Sequence, residues 1–147
     1  MKRFKFTLDK LKDYKDQVLS KEKNELAQLR SSQQKAFSEK EELEERLRLS
    51  GQEFNEKSSR GMSIMEITVF KGFHNALIDQ IRLKEKEIAE FDKKIEKQLG
   101  VVVQISKDVN SLEKLRDKQL EEYNFKVQKS EEQFIEEYVS GVAFRRT

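Results

Sequence analysis

The chain has 147 residues, a length typical of one domain, with 35% hydrophobic and 39% charged residues, which is thin for a globular core but normal for long solvated helices. Cysteine is absent, which excludes disulfides, thiolate nucleophiles and cysteine-ligated metals, and the absence of proline leaves little to interrupt a helix. The net charge of +2 gives no overall argument for nucleic-acid binding. The longest apolar run, residues 101–103, is far too short for a membrane span, and residues 1–6 do not resemble a signal peptide, so we expect a cytoplasmic protein.

The first predicted element is a helix over residues 4–57. Its seam positions alternate three- and four-residue steps, as in a coiled coil. They are Leu19, Glu22, Leu26, Leu29, Gln33, Ala36, Lys40, Leu43, Leu47, Ser50 and Phe54, preceded by Phe4, Leu8, Leu11, Lys15 and Val18. A slip of one residue occurs near Val18. The polar positions in this series are typical of residues that fix the register of a coiled coil at some cost in stability.

A turn is predicted over residues 58–63. Gly61 suits a helix end, and the sequence from Ser63 to Glu66 reads as a capping box that opens the next helix. Gly51 is an alternative break. The short connection makes the two helices antiparallel and pairs residue i with roughly residue 122 − i.

The second predicted helix covers residues 64–140, with a short tail at 141–147. Its first seam series is Ile67, His74, Ile81, Ile88, Ile95, Val102 and Val109, and its second is Phe70, Leu77, Lys84, Phe91, Gln98, Ile105 and Leu112. Most of these positions are apolar. His74 lies on the seam, so we expect it to be buried or half-buried, with a proton switch as the alternative. The predicted fold class is therefore all-α: two long helices form an antiparallel coiled coil and a single domain over residues 1–147.

The pairing leaves residues 120–140 of the second helix without a partner over about 30 Å, because a helix rises 1.5 Å per residue. This overhang is rich in apolar residues, namely Tyr123, Phe125, Val127, Phe134, Ile135, Tyr138 and Val139. Residues 119–138 contain six glutamates and two lysines, a balance of −4, whereas residues 1–23 contain eight Lys/Arg and four Asp/Glu, a balance of +4. Exposed apolar helical faces usually bind other proteins.

No arrangement of residues in the chain predicts catalysis, a metal site or a cofactor. The single histidine has no nucleophile or ligand set around it, and no phosphate-binding glycine loop is present. We therefore expect no enzyme. The basic and aromatic residues at the start of the chain are compatible with single-stranded nucleic acid, but we prefer seam positions with solvated lysines and predict no nucleic-acid binding.

Phe73 departs from the two seam series. With Leu77, Gln80 and Lys84 it forms a ridge at positions i, i+4, i+7 and i+11 on one side of the helix. A large aromatic side chain beside the seam does not bury completely in a two-stranded coil, so the ridge is a candidate contact surface. In the alternative interpretation, Phe73 simply folds over the seam.

Three segments resemble the FliJ family of flagellar export proteins. The start of the chain is similar at residues 2–16, Lys-Arg-Phe-Lys-Phe-Thr-Leu-Asp-Lys-Leu-Lys-Asp-Tyr-Lys-Asp. The turn is similar at residues 60–66, Arg-Gly-Met-Ser-Ile-Met-Glu, and at residues 70–73, Phe-Lys-Gly-Phe. The later helix is similar at residues 112–119, Leu-Glu-Lys-Leu-Arg-Asp-Lys-Gln. The order and spacing of the segments carry the resemblance, which extends over the whole chain.

The resemblance implies a non-enzymatic stalk and adaptor of the flagellar type III export apparatus. Its implied partners are the export ATPase hexamer, the export-gate membrane protein FlhA and the export chaperones, and the chain is expected to be a monomer when free. It would lie in the cytoplasm at the flagellar base and reach the membrane peripherally through these partners. The family's gate-binding ridge matches Phe73, Leu77, Gln80 and Lys84, although Gln80 and Lys84 replace the Ala and His that relatives can carry.

The resemblance also implies that the paired chain ends enter the ATPase ring. The expected ring-binding residues are Lys2, Arg3, Lys5, Lys10, Tyr123, Phe125, Val127 and Phe134. Two other functions remain open from the residues alone. One is a structural coiled coil that self-associates through the overhang, and the other is a holdase chaperone that uses its apolar ends to hold clients.

Overall fold

The computed structural model describes residues 2–146 and consists of two α-helices, α1 (Asp9–Arg60) and α2 (Ile64–Arg146). No strand is present in these residues. The two helices pack against each other, and α2, with 83 residues, is longer than α1, with 52. The predicted all-α fold, with a second helix that outruns the first, is confirmed.

The described residues group into two compact units, residues 21–102 and residues 2–20 with 103–146. Whether they act as one domain stays a prediction. In the first unit, polar side chains fix the antiparallel register. Gln98 donates from Nε2 to the carboxylate of Glu22 at 2.5 Å, and Gln33 donates to Asp92 at 2.6 Å. The numbers of these pairs add up to 120 and 125, close to the expected 122.

The predicted seam is the buried surface of the fold. Every position of the two predicted α2 series is buried or half-buried except His74, and so is every predicted α1 position from Leu19 to Phe54. The buried apolar side chains of the described residues are Phe6, Leu26, Ala36, Leu77, Ile81, Ile88, Val102 and Val109. Burial at these positions supplies the free energy that holds two otherwise solvated helices together.

His74 was expected to be buried or half-buried, and this prediction is wrong. Its side chain is exposed, although its neighbours Phe70 and Leu77 in the other series are half-buried and buried. His74 lines an open notch together with Gly51 of α1, which has no side chain that could cover the imidazole. The seam is therefore open at this one level of the first unit.

The second unit begins differently from the prediction, because α1 begins at Asp9 and not near residue 4. The backbone N–H of Asp9 donates to the carbonyl of Phe6 at 3.2 Å, and residues 2–6 are non-helical. In a helix, Phe4 and Phe6 would point to nearly opposite sides. In an extended segment they lie on one side, so both rings can be covered.

The later start also moves the seam of the second unit. Leu8 and Leu11, predicted as seam positions, are 36% and 43% exposed. Lys15 and Val18, also predicted as seam positions, are half-buried, and so is Lys12, which was not predicted. Both lysines reach across to α2. Lys12 lies 4.0 Å from Glu113, and Lys15 lies 3.3 Å from Asp108. Ion pairs to α2 therefore lie near the start of α1, and the unit also keeps buried or half-buried apolar seam positions such as Val18, Leu19 and Val109.

The turn between the helices is shorter than predicted, since α1 continues to Arg60 and only residues 61–63 lie outside the helices. Gly61 has a φ of 98°, a left-handed conformation that suits glycine. Ser63 Oγ accepts a hydrogen bond from the backbone N–H of Glu66 at 3.2 Å and so caps α2. At the other end, α2 continues through Gly141 to Arg146. A single glycine weakens a helix but does not end it, and no proline follows.

Gly61→Ala should lower the free energy of unfolding by about 1–2 kcal/mol, since a Cβ is strained in the left-handed region. Gly100→Ala is the matched control, because Gly100 lies inside α2 and an added Cβ there meets nothing within 4 Å. It should raise the stability by about 0.5–1 kcal/mol. Urea unfolding followed by circular dichroism at 222 nm measures the stability of both variants. Equal changes in the free energy of unfolding would mean that the left-handed conformation of Gly61 does not require glycine.

Candidate functional site

The first candidate surface is built where the N-terminal arm (residues 2–8) packs on α2. Tyr123 donates from its hydroxyl to the carbonyl of Lys2 at 2.5 Å, and the ring of Phe4 lies 5.5 Å from that of Tyr123. The guanidinium of Arg116 lies 5.9 Å from the Phe4 ring. Phe6 is only 5% exposed. The arm therefore ties the beginning of the chain to the middle of the second half of α2.

The basic residues of the arm face solvent. Because alternate residues of an extended segment point to opposite sides, Arg3 and Lys5 lie opposite Phe4 and Phe6, and both are exposed. Lys2 and Lys10 are exposed as well. Of the predicted ring-binding residues, the structure brings Lys2 and Tyr123 into direct contact and leaves the other three basic side chains free at the surface.

The second candidate surface is the terminal overhang (residues 124–146), the part of α2 beyond its contacts with the arm. Val127 is half-buried, and Phe125 is 59% exposed with the ammonium of Lys129 at 5.0 Å from its ring. Further along, an apolar stripe is formed by exposed side chains at coiled-coil spacing. The members of this stripe are Phe134, Ile135, Tyr138 and Val139.

The overhang stripe has acidic flanks. Glu131, Glu132, Glu136 and Glu137 are all exposed, and residues 130–140 contain no lysine or arginine. α1 begins only at Asp9, and the arm contacts described above are with Arg116 and Tyr123, which precede the stripe. The overhang thus continues the spacing of the seam without a second helix to cover it, and an apolar, glutamate-flanked helix of this kind suits a protein groove.

The predicted ridge is split by the fold. Phe73 is 51% exposed and Gln80 is exposed, but Leu77 is 4% exposed and belongs to the seam. Lys84 is half-buried and forms ion pairs with Glu39 of α1 and, at 3.2 Å, with Glu87. The hydrogen bond from Lys84 lowers the pKa of Glu39, and the same bond raises the pKa of Lys84. Lys84 therefore joins the two helices at this point.

A different apolar face surrounds Phe73. Met65 and Val69 are 79% and 67% exposed, and they precede Phe73 at four-residue steps. The sequence analysis missed both residues, although the i, i+4, i+8 spacing was visible. Met65 and Val69 lie beside the seam positions Ile67, Phe70 and Leu77, and the seam pattern makes no statement about residues on that side of the helix.

In the part of the chain that the structure describes, no group of three or more His, Cys, Asp or Glu residues is arranged to hold a metal ion. Across residues 2–146, neither helix has a stretch long and apolar enough to cross a membrane. The arm and the terminal overhang, together with the face around Phe73, are the candidate surfaces, since exposed apolar surface suits protein partners.

Comparison with known families decides the assignment. The model of the family described as flagellar FliJ protein matches residues 4–147, almost the full length of the chain. This chain belongs to the FliJ family. No curated protein and no solved structure matches it. The resemblance seen in the sequence is therefore confirmed by the family match.

Membership of the FliJ family makes the chain a component of the flagellar export apparatus, with a role in flagellar biogenesis and protein export. The family acts through contacts with other export components. The match includes the arm from Phe4 onward, the turn and the terminal overhang, so the two candidate surfaces belong to the part that the family shares. In a FliJ-family chain, exposed apolar surfaces at these positions are candidates for those contacts.

Proposed function

We propose that this chain is a non-enzymatic stalk and adaptor that promotes assembly of the export ATPase hexamer. It couples the hexamer to the export gate protein FlhA and to the recycling of export chaperones. It works in the cytoplasm at the flagellar base and associates peripherally with the membrane through its protein partners. The observation that carries this proposal is the uncovered apolar stripe of the terminal overhang.

The stripe is costly to leave in water. Phe134, Ile135, Tyr138 and Val139 expose 58–70% of their surface. Burying such a side chain fully contributes about 1.5–3 kcal/mol, so a partner that covers the stripe gains several kcal/mol before the costs of association. A projecting helix with this face suits insertion into a ring, where it is surrounded by apolar surface.

The charges of the overhang argue against self-association. In a parallel pair of overhangs the four glutamates of each copy lie next to those of the other, and an antiparallel pair centred on the stripe brings Glu136 of one copy next to Glu137 of the other. Like charges at such positions destabilise a coiled coil. These charges support a monomer when free and a partner other than a second copy.

The gate contact is assigned to the face around Phe73. Phe73 and Gln80 of the predicted ridge are exposed, and Met65 and Val69 extend the same surface. Leu77 and Lys84 lie in or beside the seam, so in this proposal they position Phe73 and do not themselves form the main contact with FlhA. The ring contact and the gate contact thus use separate sets of residues.

The triple variant Phe134→Gln, Ile135→Gln and Tyr138→Gln tests the ring contact. Glutamine has a good helix propensity, so the circular dichroism signal at 222 nm, which reports helix content, should be unchanged. We expect the variant to lose most of the stimulation that the wild-type chain gives to ATP hydrolysis by its cognate export ATPase.

The matched control is the double variant Leu49→Gln and Val103→Gln, which changes side chains that are 50% and 44% exposed outside the overhang. It should stimulate the ATPase like the wild type. Full stimulation by the triple variant would overturn the ring contact. Light scattering that shows dimers of the wild type, lost in the triple variant, would support the self-associating coiled coil instead.

A further inference from the structure

A notch opens between α1 and α2 within residues 21–102. It has a volume of about 280 Å³, and its lining residues are Ser50, Gly51, Phe54, Asn55, Phe70, Lys71 and His74. The rings of Phe54 and Phe70 meet edge to face at 5.7 Å and form an apolar wall. The volume is below that of typical small-molecule pockets, and it suits a single inserted side chain.

Two departures from coiled-coil rules keep the notch open. Gly51 lies in the interior of α1, where glycine costs about 1 kcal/mol relative to alanine. Its φ is not positive, and an added Cβ would meet nothing within 4 Å, so neither the backbone nor a close neighbour requires glycine. Opposite it, the seam position of His74 holds an exposed imidazole where an apolar side chain is expected. Local rules that fail together often mark a functional site.

The charge of the lining is positive. Lys71 contributes an ammonium group and His74 an imidazole, and no carboxylate is among the lining residues. No ion pair in residues 2–146 involves either of them. Lys57 adds a third basic group, with its ammonium 5.3 Å from the ring of Phe70, although it also pairs with Glu53 at 3.1 Å. An apolar wall with a basic rim complements an apolar side chain next to a carboxylate.

We propose that the notch is a docking site for an acidic segment of a partner protein. The segment inserts one large apolar side chain against Phe54 and Phe70 and places a carboxylate beside Lys71 and His74. At about 100° per residue, Phe73 and His74 lie on opposite sides of the Phe70–Leu77 stripe, so this contact is separate from the face around Phe73. The lining residues of the notch are also distinct from the residues of the terminal overhang.

The probe is an alanine-based helical peptide with one central phenylalanine and glutamates one turn before and after it. A second peptide with lysines in place of the glutamates tests the charge. In NMR titrations of the full chain, the acidic peptide should shift the amide signals of Gly51, Lys71 and His74, and the basic peptide should bind at least about tenfold more weakly. Equal binding of the two peptides would overturn the proposed carboxylate contact.

Gly51→Leu fills the notch and is the decisive variant. It should not lower the thermal midpoint, because the position is open and leucine is a better helix former than glycine. It should weaken the binding of the acidic peptide at least about tenfold. Gly100→Leu is the matched control at another open helical glycine and should bind like the wild type. If the acidic peptide binds Gly51→Leu as well as it binds the wild type, the notch is not its docking site. The Gly51→Leu variant should still stimulate the export ATPase. A failure of the docking proposal can therefore be told apart from a failure of the ring contact.

Discussion

Leu77→Ala should lower the free energy of unfolding by about 2–5 kcal/mol, whereas Phe73→Ala should lower it by less than about 1 kcal/mol. The two residues lie one helical turn apart, but Leu77 is 4% exposed and Phe73 is 51% exposed. Truncating Leu77 leaves a cavity in the seam, and truncating Phe73 removes a side chain that is half in solvent. Urea unfolding of both variants, followed at 222 nm, measures the difference.

The same pair separates stability from gate binding. Phe73→Ala should weaken binding to the soluble part of FlhA at least about tenfold, measured by calorimetry at a temperature where the variant is fully folded. Val69→Ala, on the same face, should weaken it as well, and Leu49→Ala is the control on α1. If Phe73→Ala unfolds the protein as readily as Leu77→Ala, Phe73 packs on the seam, and its assignment to the gate contact is wrong.

The seam could be predicted because its information is local. Alternating three- and four-residue steps identify which side of a long helix is covered, and the position of Gly61 sets which residues meet across the seam. Those two features are sufficient to predict the antiparallel pairing and the longer second helix. Polar seam residues such as Gln98 and Gln33 did not disturb the pattern, since each finds a partner on the other helix.

The predictions of burial were wrong where the burial of a side chain depends on what lies opposite it. His74 has the right spacing for burial, but what covers it is residue 51, and that residue is glycine. Leu8 and Leu11 also have seam spacing, yet they are exposed, while Phe4 and Phe6 of the non-helical arm are half-buried and buried, and the lysines that follow reach across to α2. Spacing within one helix cannot specify these features.

The ridge shows a related limit. Phe73, Leu77, Gln80 and Lys84 follow one row along α2, but the edge of the seam divides the row: Phe73 and Gln80 lie on its solvent side, and Leu77 and Lys84 lie on its seam side. Two of its members are therefore exposed, while Leu77 is buried and Lys84 pairs with Glu39 of α1. Placing the ridge on the surface requires knowing where α1 lies around α2.

Phe6→Ala should release the N-terminal arm. Phe6 is 5% exposed, and truncating a buried phenylalanine costs about 3 kcal/mol or more. Because the arm precedes α1 and lies outside both helices, this cost falls on local opening and leaves most of the global stability intact. Opening that is easier by about 3 kcal/mol raises the open population roughly 100-fold, and cleavage of the open form follows that population.

Trypsin provides the measurement, because the bond after Arg3 lies inside the arm and away from the substituted residue. Mass spectrometry should show this bond cut roughly 100-fold faster in Phe6→Ala than in the wild type. Leu8→Ala is the matched control: it also truncates an apolar side chain beside the arm, but Leu8 is 36% exposed, so the rate should change only slightly. Equal rates in Phe6→Ala and the wild type would mean that the arm is not held by Phe6.

Release of the arm also separates two explanations of the ring contact. If the arm's basic residues contact the ATPase only when Lys2 is held at Tyr123, Phe6→Ala should reduce stimulation of the ATPase while the overhang stripe stays intact. If the stripe alone makes the contact, stimulation should persist in Phe6→Ala and disappear in the variant at Phe134, Ile135 and Tyr138. One variant changes the arm and the other changes the terminal overhang of α2, so their comparison assigns the ring contact to the arm or to the overhang.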